Sequence, residues 1–431
     1  MDDEGGFSFG DFAVEMQDFE VVRTRKWDRI WRIGPGGSVT CGILIEGGRA
    51  YFGSHNHFFY CIDASSGSEI WRFKASEQIH NGAGPVIRNG IVYFGSYDHM
   101  LYALYADTGR LAWKFQTQGE ISAGPCADDE RVYFGSRDNH VYALDLETGA
   151  LRWKFSTGDC VAGVPAVHGD RLLVGSFDMN FYCLDKRSGS LLWKFPTQGE
   201  IFNYTRMLVH EGAVHFASFD NFLRAVDVKT GKLLWRFQMG VYGVSAGTVL
   251  HNGMLIQGSR DGNLYALTPG GRLLWKFSTH EMIIPVACHK DRIYFGCEDQ
   301  NLYCLDLSGK ERWRFRTQGL LTGQQAIWND RIYFGSYDCN MYCVDLENRS
   351  LAWKFSCGGS PSYIPPPNES FELRLKASSG KEERQSKKGY ELDLSGEDEK
   401  VGGFYKARVT YGGSSRYREK GSYGAGEEDG L

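Results

Sequence analysis

Hydrophobic residues recur along this chain in short runs that are separated by Gly, Asp and Asn. A typical unit carries four such runs, at 84–87, 92–96, 101–104 and 111–115. Runs of this length, bounded by turn residues, predict four short β-strands. Four strands in about forty residues is the period of a β-propeller blade.

Each unit ends in a Trp that is followed by Lys or Arg and then Phe. These residues are Trp71, Trp113, Trp153, Trp193, Trp235, Trp275, Trp313 and Trp353, with successive spacings of 42, 40, 40, 42, 40, 38 and 40. The pattern predicts an all-β fold, an eight-bladed β-propeller of four-stranded blades. We expect each Trp ring to lie between neighbouring blades, with its indole N–H on a turn backbone.

The turns of the repeat also follow a pattern. Gly-Ser-x-Asp follows the second strand, as at 135–138, and Asp-x-x-Thr/Ser-Gly follows the third, as at 145–149. The first Asp is predicted to fold its carboxylate back onto backbone N–H groups, and the Gly to supply a positive φ. Both acidic positions are therefore interpreted as structural.

The segment Ala143-x-Asp145-x-x-Thr148-Gly149-x-x-x-Trp153 resembles the tryptophan-docking motif of PQQ-like propeller repeats. This family includes quinoprotein alcohol and glucose dehydrogenases and the non-catalytic assembly scaffold BamB. The resemblance covers residues 38–355 and implies the blade architecture. It implies no single activity, because the motif builds the blade rather than a site.

Catalysis by a quinone cofactor is not expected. If the resemblance extended to the dehydrogenases, it would imply adjacent cysteines against the cofactor and long insertions between blades. This sequence has no Cys-Cys pair, and its repeats are nearly uniform in length. It also lacks a His-x-x-x-His metal spacing, a G-x-S-x-G elbow and a P-loop. We therefore predict no catalytic residue, no metal and no cofactor.

Binding is the favoured activity, at the mouth of the central channel. Most repeats place small residues before the innermost strand, but three repeats place polar ones there. The candidate ligand- or partner-binding residues are His80, Asn81, Asn203, Tyr204, Arg206, Gln324 and Gln325. The alternative interpretation is a channel lining that holds ordered water.

The ends of the chain differ from the repeats. We divide the sequence into a partly ordered N-terminal arm (1–24), the propeller (25–357), and a Pro/Gly linker with a flexible tail of weak strand propensity (358–431). Closure is left open, because Trp31 marks a further strand while Trp353 already ends the last unit. Tyr, Arg and Gly near the C-terminus leave RNA binding by the tail as a less favoured alternative.

Composition and charge narrow the class of protein. The chain has 431 residues, 42% hydrophobic and 14% aromatic, with a net charge of −5, so neither disorder nor a nucleic-acid-binding surface is indicated. No run of residues is apolar enough to span a membrane. With eleven cysteines and no export signal, we expect core thiols and a cytoplasmic location. The favoured function is a non-enzymatic scaffold for protein partners, and the alternative is a small-ligand or PQQ-type sensor.

Overall fold

The computed structural model describes two separate compact units. It describes residues 36–359, apart from 81–83, 203–206, 242, 244–246 and 280, and the backbone of 19–20, 370–376 and 404–410. The larger unit spans 33–363, and the smaller one comprises 1–32 with 364–431.

The larger unit is an eight-bladed β-propeller, which confirms the predicted fold. Each blade is a four-stranded antiparallel sheet whose strands follow one another in sequence order. First strands of neighbouring blades contact each other, so they are the innermost strands. They are β2 (Leu44–Glu46), β6 (Val86–Arg88), β10 (Cys126–Ala127), β14 (Ala166–His168), β18 (Leu208–His210), β22 (Val249–His251), β26 (Ile283–His289) and β30 (Ala326–Trp328).

The second and third strands of each blade carry the core. The second strands are β3 (Arg49–Gly53), β7 (Ile91–Gly95), β11 (Arg131–Ser136), β15 (Arg171–Gly175), β19 (Ala213–Ala217), β23 (Met254–Gly258), β27 (Arg292–Cys297) and β31 (Arg331–Gly335). The third strands are β4 (Phe58–Asp63), β8 (Met100–Tyr105), β12 (His140–Asp145), β16 (Asn180–Asp185), β20 (Phe222–Asp227), β24 (Asn263–Leu267), β28 (Asn301–Asp306) and β32 (Asn340–Asp345). Their apolar residues are buried on both faces, since each blade packs between two others.

The fourth strands form the outer edges of the blades, and their central Trp residues dock onto the next blade. They are β5 (Glu69–Lys74), β9 (Leu111–Gln116), β13 (Leu151–Ser156), β17 (Leu191–Pro196), β21 (Leu233–Gln238), β25 (Leu273–Ser278), β29 (Glu311–Arg316) and β33 (Ser350–Ser356). Trp113 Nε1, for example, donates to the carbonyl of Leu146 at 3.2 Å. Seven of the eight Trp residues make this bond to described residues, as the sequence predicted. Trp313 is the exception.

The turns behave as the repeat motif predicts. Gly149 has a φ of 70°, and Thr148 donates to the Asp145 carboxylate from its backbone N–H (2.9 Å) and its hydroxyl (2.8 Å). In the other turn, Asp98 folds back as predicted and accepts from the N–H of Met100 at 3.1 Å; it also accepts from the N–H of Ser76, in the segment arriving from the preceding blade, at 2.9 Å. The motif carboxylates therefore close turns and join blades.

The small residue opposite each docking Trp is buried in every blade. Cys61 pairs in register with Trp71, and Ala103 with Trp113. Eight positions share this environment and are fully buried: Cys61, Ala103, Ala143, Cys183, Ala225, Ala266, Cys304 and Cys343. All eleven cysteines lie in the described part of the chain and are free thiols there, in agreement with a role in packing.

The ring closes between blade eight and blade one through the same Trp docking that joins other blades, but its turn bond is reversed. Asn56 Nδ2 donates to the Cys357 carbonyl at 2.8 Å, where other blades have an Asp that accepts from a backbone N–H. Trp353 Nε1 and the Tyr333 hydroxyl donate to the Ala64 carbonyl, at 3.2 and 3.0 Å. Near the channel, the Val39 N–H donates to the Ser336 carbonyl at 3.0 Å. Trp353 belongs to the outer strand of blade eight, and the segment around Trp31 lies outside the described residues.

The smaller unit contains a three-stranded antiparallel sheet. Its strands are β1 (Phe19–Glu20), β34 (Ser370–Lys376) and β35 (Phe404–Thr410), in the order β1-β34-β35. Two of the three alternating runs of the C-terminal region therefore form strands, and the third, at 390–394, is outside the described residues. Within the described ranges, no helix is long and apolar enough to cross a bilayer.

Candidate functional site

One position of the repeat changes its side chain around the channel while its neighbours stay nearly constant. It follows the Ser or Cys at the end of the second strand and precedes the turn Asp in all blades but the first. We call these eight residues the mouth ring: His55, Tyr97, Arg137, Phe177, Phe219, Arg260, Glu298 and Tyr337. The surrounding Gly, Ser and Asp are needed by the turn, whereas this residue is not.

Backbone hydrogen bonds place the mouth ring at the entrance to the channel. The Tyr97 N–H donates to the carbonyl of Gln78, and the Arg137 N–H donates to that of Glu120, both at the approach to an innermost strand. Phe177, Phe219, Glu298, Tyr337 and His55 make the corresponding bond in their blades. Because the second and first strands both meet this end of the blade, the ring and the predicted binding segments share one face.

The polar side of the ring centres on two histidines. His80 Nδ1 and His55 Nε2 are 3.1 Å apart, and each lies 2.7 Å from the Thr40 hydroxyl oxygen. His55 is fully buried, and its Nδ1 has no hydrogen-bond partner among the described residues. Burial lowers the pKa of His80 to about 4 and holds the pKa of His55 well below its usual range, with like charges nearby adding to both effects. Both imidazoles are therefore neutral at pH 7.

Aromatic and charged side chains continue the ring on either side of the histidines. The Tyr337 ring meets His55 edge-on, and the Tyr97 ring contacts His80. Arg137 lies over Tyr97 and pairs with Glu120, at 3.5 Å between Nε and Oε2. The polar side is thus a connected chain of rings and hydrogen bonds.

The opposite side of the ring is apolar. Phe177 and Phe219 both pack against Phe202, with ring centroids 5.3 and 6.4 Å away, and Arg260 lies over Phe219 at 5.4 Å. An aromatic sector therefore lies next to a sector of hydrogen-bonding groups, and within the aromatic sector Phe177 and Arg260 are half-buried while Phe202 and Phe219 are buried.

The residues nominated from the sequence are only partly brought together. His80 lies in the polar sector, where it contacts His55 and Thr40, which the sequence reasoning missed. Gln324 joins blade eight to blade one, because its carbonyl accepts from the Ile43 N–H. Asn81, Asn203, Tyr204 and Arg206 lie outside the described residues.

Gln325 is engaged in the contact between blades seven and eight. In the amide orientation that its neighbours favour, the nitrogen donates to the Pro285 carbonyl at 2.7 Å and the oxygen accepts from the Gly296 N–H at 3.1 Å. A ligand at this side chain would have to displace both bonds. The mouth ring could have been found by comparing the repeats at the variable position of Gly-Ser-x-Asp.

Comparisons with known proteins agree with the blade architecture. The model of the family described as outer membrane protein assembly factor BamB matches residues 21–157, 137–269 and 260–364. BamB from Moraxella catarrhalis is similar in structure, with a TM-score of 0.59 and 21% identity over 69% of this chain and 91% of that one. No curated protein matches the chain significantly in sequence.

Two further solved structures share the fold. The computationally designed protein Ika8 has a TM-score of 0.62 and 17% identity, over 70% of this chain and 94% of that one. A quinohemoprotein alcohol dehydrogenase from Pseudomonas putida HK5 has a TM-score of 0.60 and 14% identity, over 74% and 73%. At these identities, both likenesses show the fold alone.

The described part of the mouth does not fit a planar quinone cofactor. Such a group needs two open faces to lie between, yet Phe202 and Phe219 are only 7% and 4% exposed and pack against other rings. Arg137 is already paired with Glu120, and the sequence has no adjacent cysteines.

Proposed function

Because this chain belongs to the family of the outer membrane protein assembly factor BamB, we propose that it is a non-enzymatic propeller scaffold. In this proposal its channel-mouth face holds a protein partner. The observation that carries the proposal is the mouth ring. The neighbouring Gly, Ser and Asp recur from blade to blade because the turn requires them, whereas the mouth-ring residue differs. A position whose side chain the fold does not dictate can carry the side chains that recognise a partner.

The chemistry of the ring suits a protein surface. Tyr and Arg are enriched in protein interfaces, because each combines a large contact area with directional hydrogen bonding. The mouth combines Tyr97, Arg137, Phe177 and Arg260, all half-buried, so each has surface left to contact a partner. The nearly uniform repeats supply a rigid frame that lowers the entropic cost of binding.

Affinity purification of the full chain from its native cell, at physiological salt, tests this proposal. We expect a stoichiometric protein partner with the unaltered chain and its loss with the triple variant R137S/F177S/R260S. The control is E147S/K229S/E347S, which removes three exposed side chains from the turns at the opposite end of the blades. Thermal unfolding of each variant separates misfolding from lost binding.

Two results would contradict the proposal. Recovery of the chain alone under native conditions would remove the scaffold function. Equal recovery of the partner with the mouth variant and the control would place the binding surface away from the ring.

A further inference from the structure

The outer strands of three consecutive blades carry pairs of exposed leucines. In β17, β21 and β25 the first two residues are both Leu, and the six side chains are 42–55% exposed. They are Leu191, Leu192, Leu233, Leu234, Leu273 and Leu274. We call these six residues the leucine belt.

The belt is confined to one arc of the rim. The residue directly before the docking Trp is Leu only in blades four, five and six; elsewhere it is Ile70, Ala112, Arg152, Arg312 or Ala352. The first position is acidic in blades one and seven, at Glu69 and Glu311. Since eight blades divide a ring at about 45° each, the belt spans about 90° of the circumference. Large apolar side chains that are exposed together on one arc mark an interaction site more often than scattered residues do.

Basic residues accompany the belt. Lys194, Arg236 and Lys276 follow the docking Trp of blades four to six and are exposed. None of the three has a carboxylate of the described residues within ion-pair distance. Positive charge and apolar surface therefore lie side by side along the arc.

Among the described residues, the cation that follows the docking Trp has a carboxylate partner only in blades one and seven. Arg72 pairs with Glu69 at 3.6 Å in blade one, and Arg314 pairs with Glu311 at 2.7 Å in blade seven. Arg152 pairs with Asp145 at 2.5 Å in blade three.

A general need for solubility at the strand edge explains the cation of every blade. Lys114, Lys154 and Lys354 of blades two, three and eight also have no ion pair among the described residues, so the arc is set apart by its paired leucines, each pair beside a cation without a carboxylate partner.

We propose that the leucine belt is a second docking surface, which binds an acidic protein segment bearing large apolar side chains. Leucines supply the apolar contact, and the three cations attract and orient carboxylates on the partner. The occupant is a protein rather than a lipid surface, because a flat bilayer would touch about one blade of a curved rim at a time. This inference concerns the rim and does not depend on the mouth ring.

Fluorescence anisotropy with a labelled dodecapeptide of alternating Leu and Glu tests the proposal on the full chain. We expect saturable binding that weakens with added salt, and at least tenfold weaker binding of a Leu/Lys dodecapeptide. The variant L191S/L233S/L273S should weaken binding of the Leu/Glu probe at least tenfold. The matched control L111S/L151S/L351S removes three leucines of the same register and similar exposure from the other blades, and should weaken it less than twofold.

The charges have a matched control as well. K194S/R236S/K276S should weaken binding and flatten its salt dependence, whereas K114S/K154S/K354S should change neither. Absence of probe binding would overturn the proposal, as would equal losses in the belt variants and their controls. Binding to phosphatidylcholine/phosphatidylglycerol (3:1) vesicles that L191S/L233S/L273S abolishes, with no probe binding, would also overturn it in favour of a membrane surface. The mouth variant R137S/F177S/R260S should bind the probe normally, so the two proposals fail separately.

Discussion

Arg349 is the residue at which the repeat departs from its own pattern. It stands where the other seven blades have a Gly of positive φ, and it adopts a φ of 57° itself. At the equivalent Gly109, an added Cβ would lie 2.6 Å from the Trp71 ring. Since Arg349 carries that Cβ, Trp313 cannot approach blade eight in the same way. This explains why the expected eighth indole bond is missing from the described residues.

Replacing Arg349 with Gly should stabilise the protein. Gly adopts this left-handed conformation without the cost of about 1 kcal/mol that an L-residue carries, and the substitution allows Trp313 to form a hydrogen bond of about 1 kcal/mol. We expect a higher midpoint of thermal unfolding by circular dichroism. The control E211G removes the same energetic cost of a positive φ at a hairpin tip, where φ is 49°, and it affects no docking Trp. An equal gain in both variants would contradict the docking explanation.

The buried histidines make a second prediction, about pH. The pKa of His80 is lowered from 6.5 to about 4 and that of His55 is also lowered, mainly by burial. Below pH 6.5 the unfolded chain therefore binds protons that the folded chain does not. The free energy of unfolding is therefore unaffected by these histidines above pH 6.5 and decreases as pH falls from 6.5 towards 4. The decrease is roughly 3 kcal/mol for His80 alone.

Urea unfolding at pH 7 and pH 4.5 measures this loss. The variant H55Q/H80Q should lose less stability between the two pH values than the unaltered chain. The pKa of His215 is also lowered, to about 4, but that residue is present in both proteins and cancels in the comparison. Equal losses would show that the histidine pair does not titrate as described.

At the scale of the element, the outer strand and the following blade's turn form one docking unit. The turn Gly must satisfy two requirements. It adopts a positive φ, and it lies so close to the Trp ring that a side chain would not fit. Gly149 meets both: its φ is 70°, and an added Cβ would lie 2.6 Å from Trp113. Gly169, at a hairpin tip, meets only the first, because with a φ of 60° it has open space around an added Cβ.

The pair G149A and G169A separates the two requirements. We expect G169A to cost about 1 kcal/mol, because only the backbone conformation is disfavoured. G149A should cost about 1–3 kcal/mol more, because the added methyl group must displace the indole. Chemical denaturation of both variants gives the difference, and a near-identical cost would contradict a docking role for the glycine.

At the scale of the whole molecule, closure uses the same Trp docking as most other seams. Blade eight meets blade one through Trp353 and Ala64, as blade three meets blade four through Trp153 and Lys186. The docking bond therefore does not distinguish the closing seam from the seam between blades three and four.

Substituting Phe at two of these seams tests the equivalence. W353F and W153F each remove one indole hydrogen bond and some packing, and each should cost about 1–3 kcal/mol. We expect the two losses to agree within about 0.5 kcal/mol in thermal or urea unfolding. A much larger loss for W353F would mean that closure carries an additional strain that the other seams do not.

Much of this fold could be predicted from the sequence alone, because the same strand and turn motif occurs eight times along the chain. Eight spaced Trp residues fixed the blade number, the four apolar runs fixed the strand number, and Asp145, Thr148 and Gly149 predicted the turn that the structure contains. These features depend on local periodicity and turn chemistry, which neighbouring residues decide.

The tertiary structure decided what depends on contacts between blades. It alone brought His55 to His80 across the blade boundary, assigned the Gln325 amide to blade seven, and aligned leucines of three blades along one rim. The sequence nominated His80 and Gln325 as equals, because polar residues in a small-residue segment look alike along the chain. The packing of adjacent blades decides which of the two side chains contacts a neighbouring blade and which lies at the mouth. The sequence of a single repeat does not determine that packing.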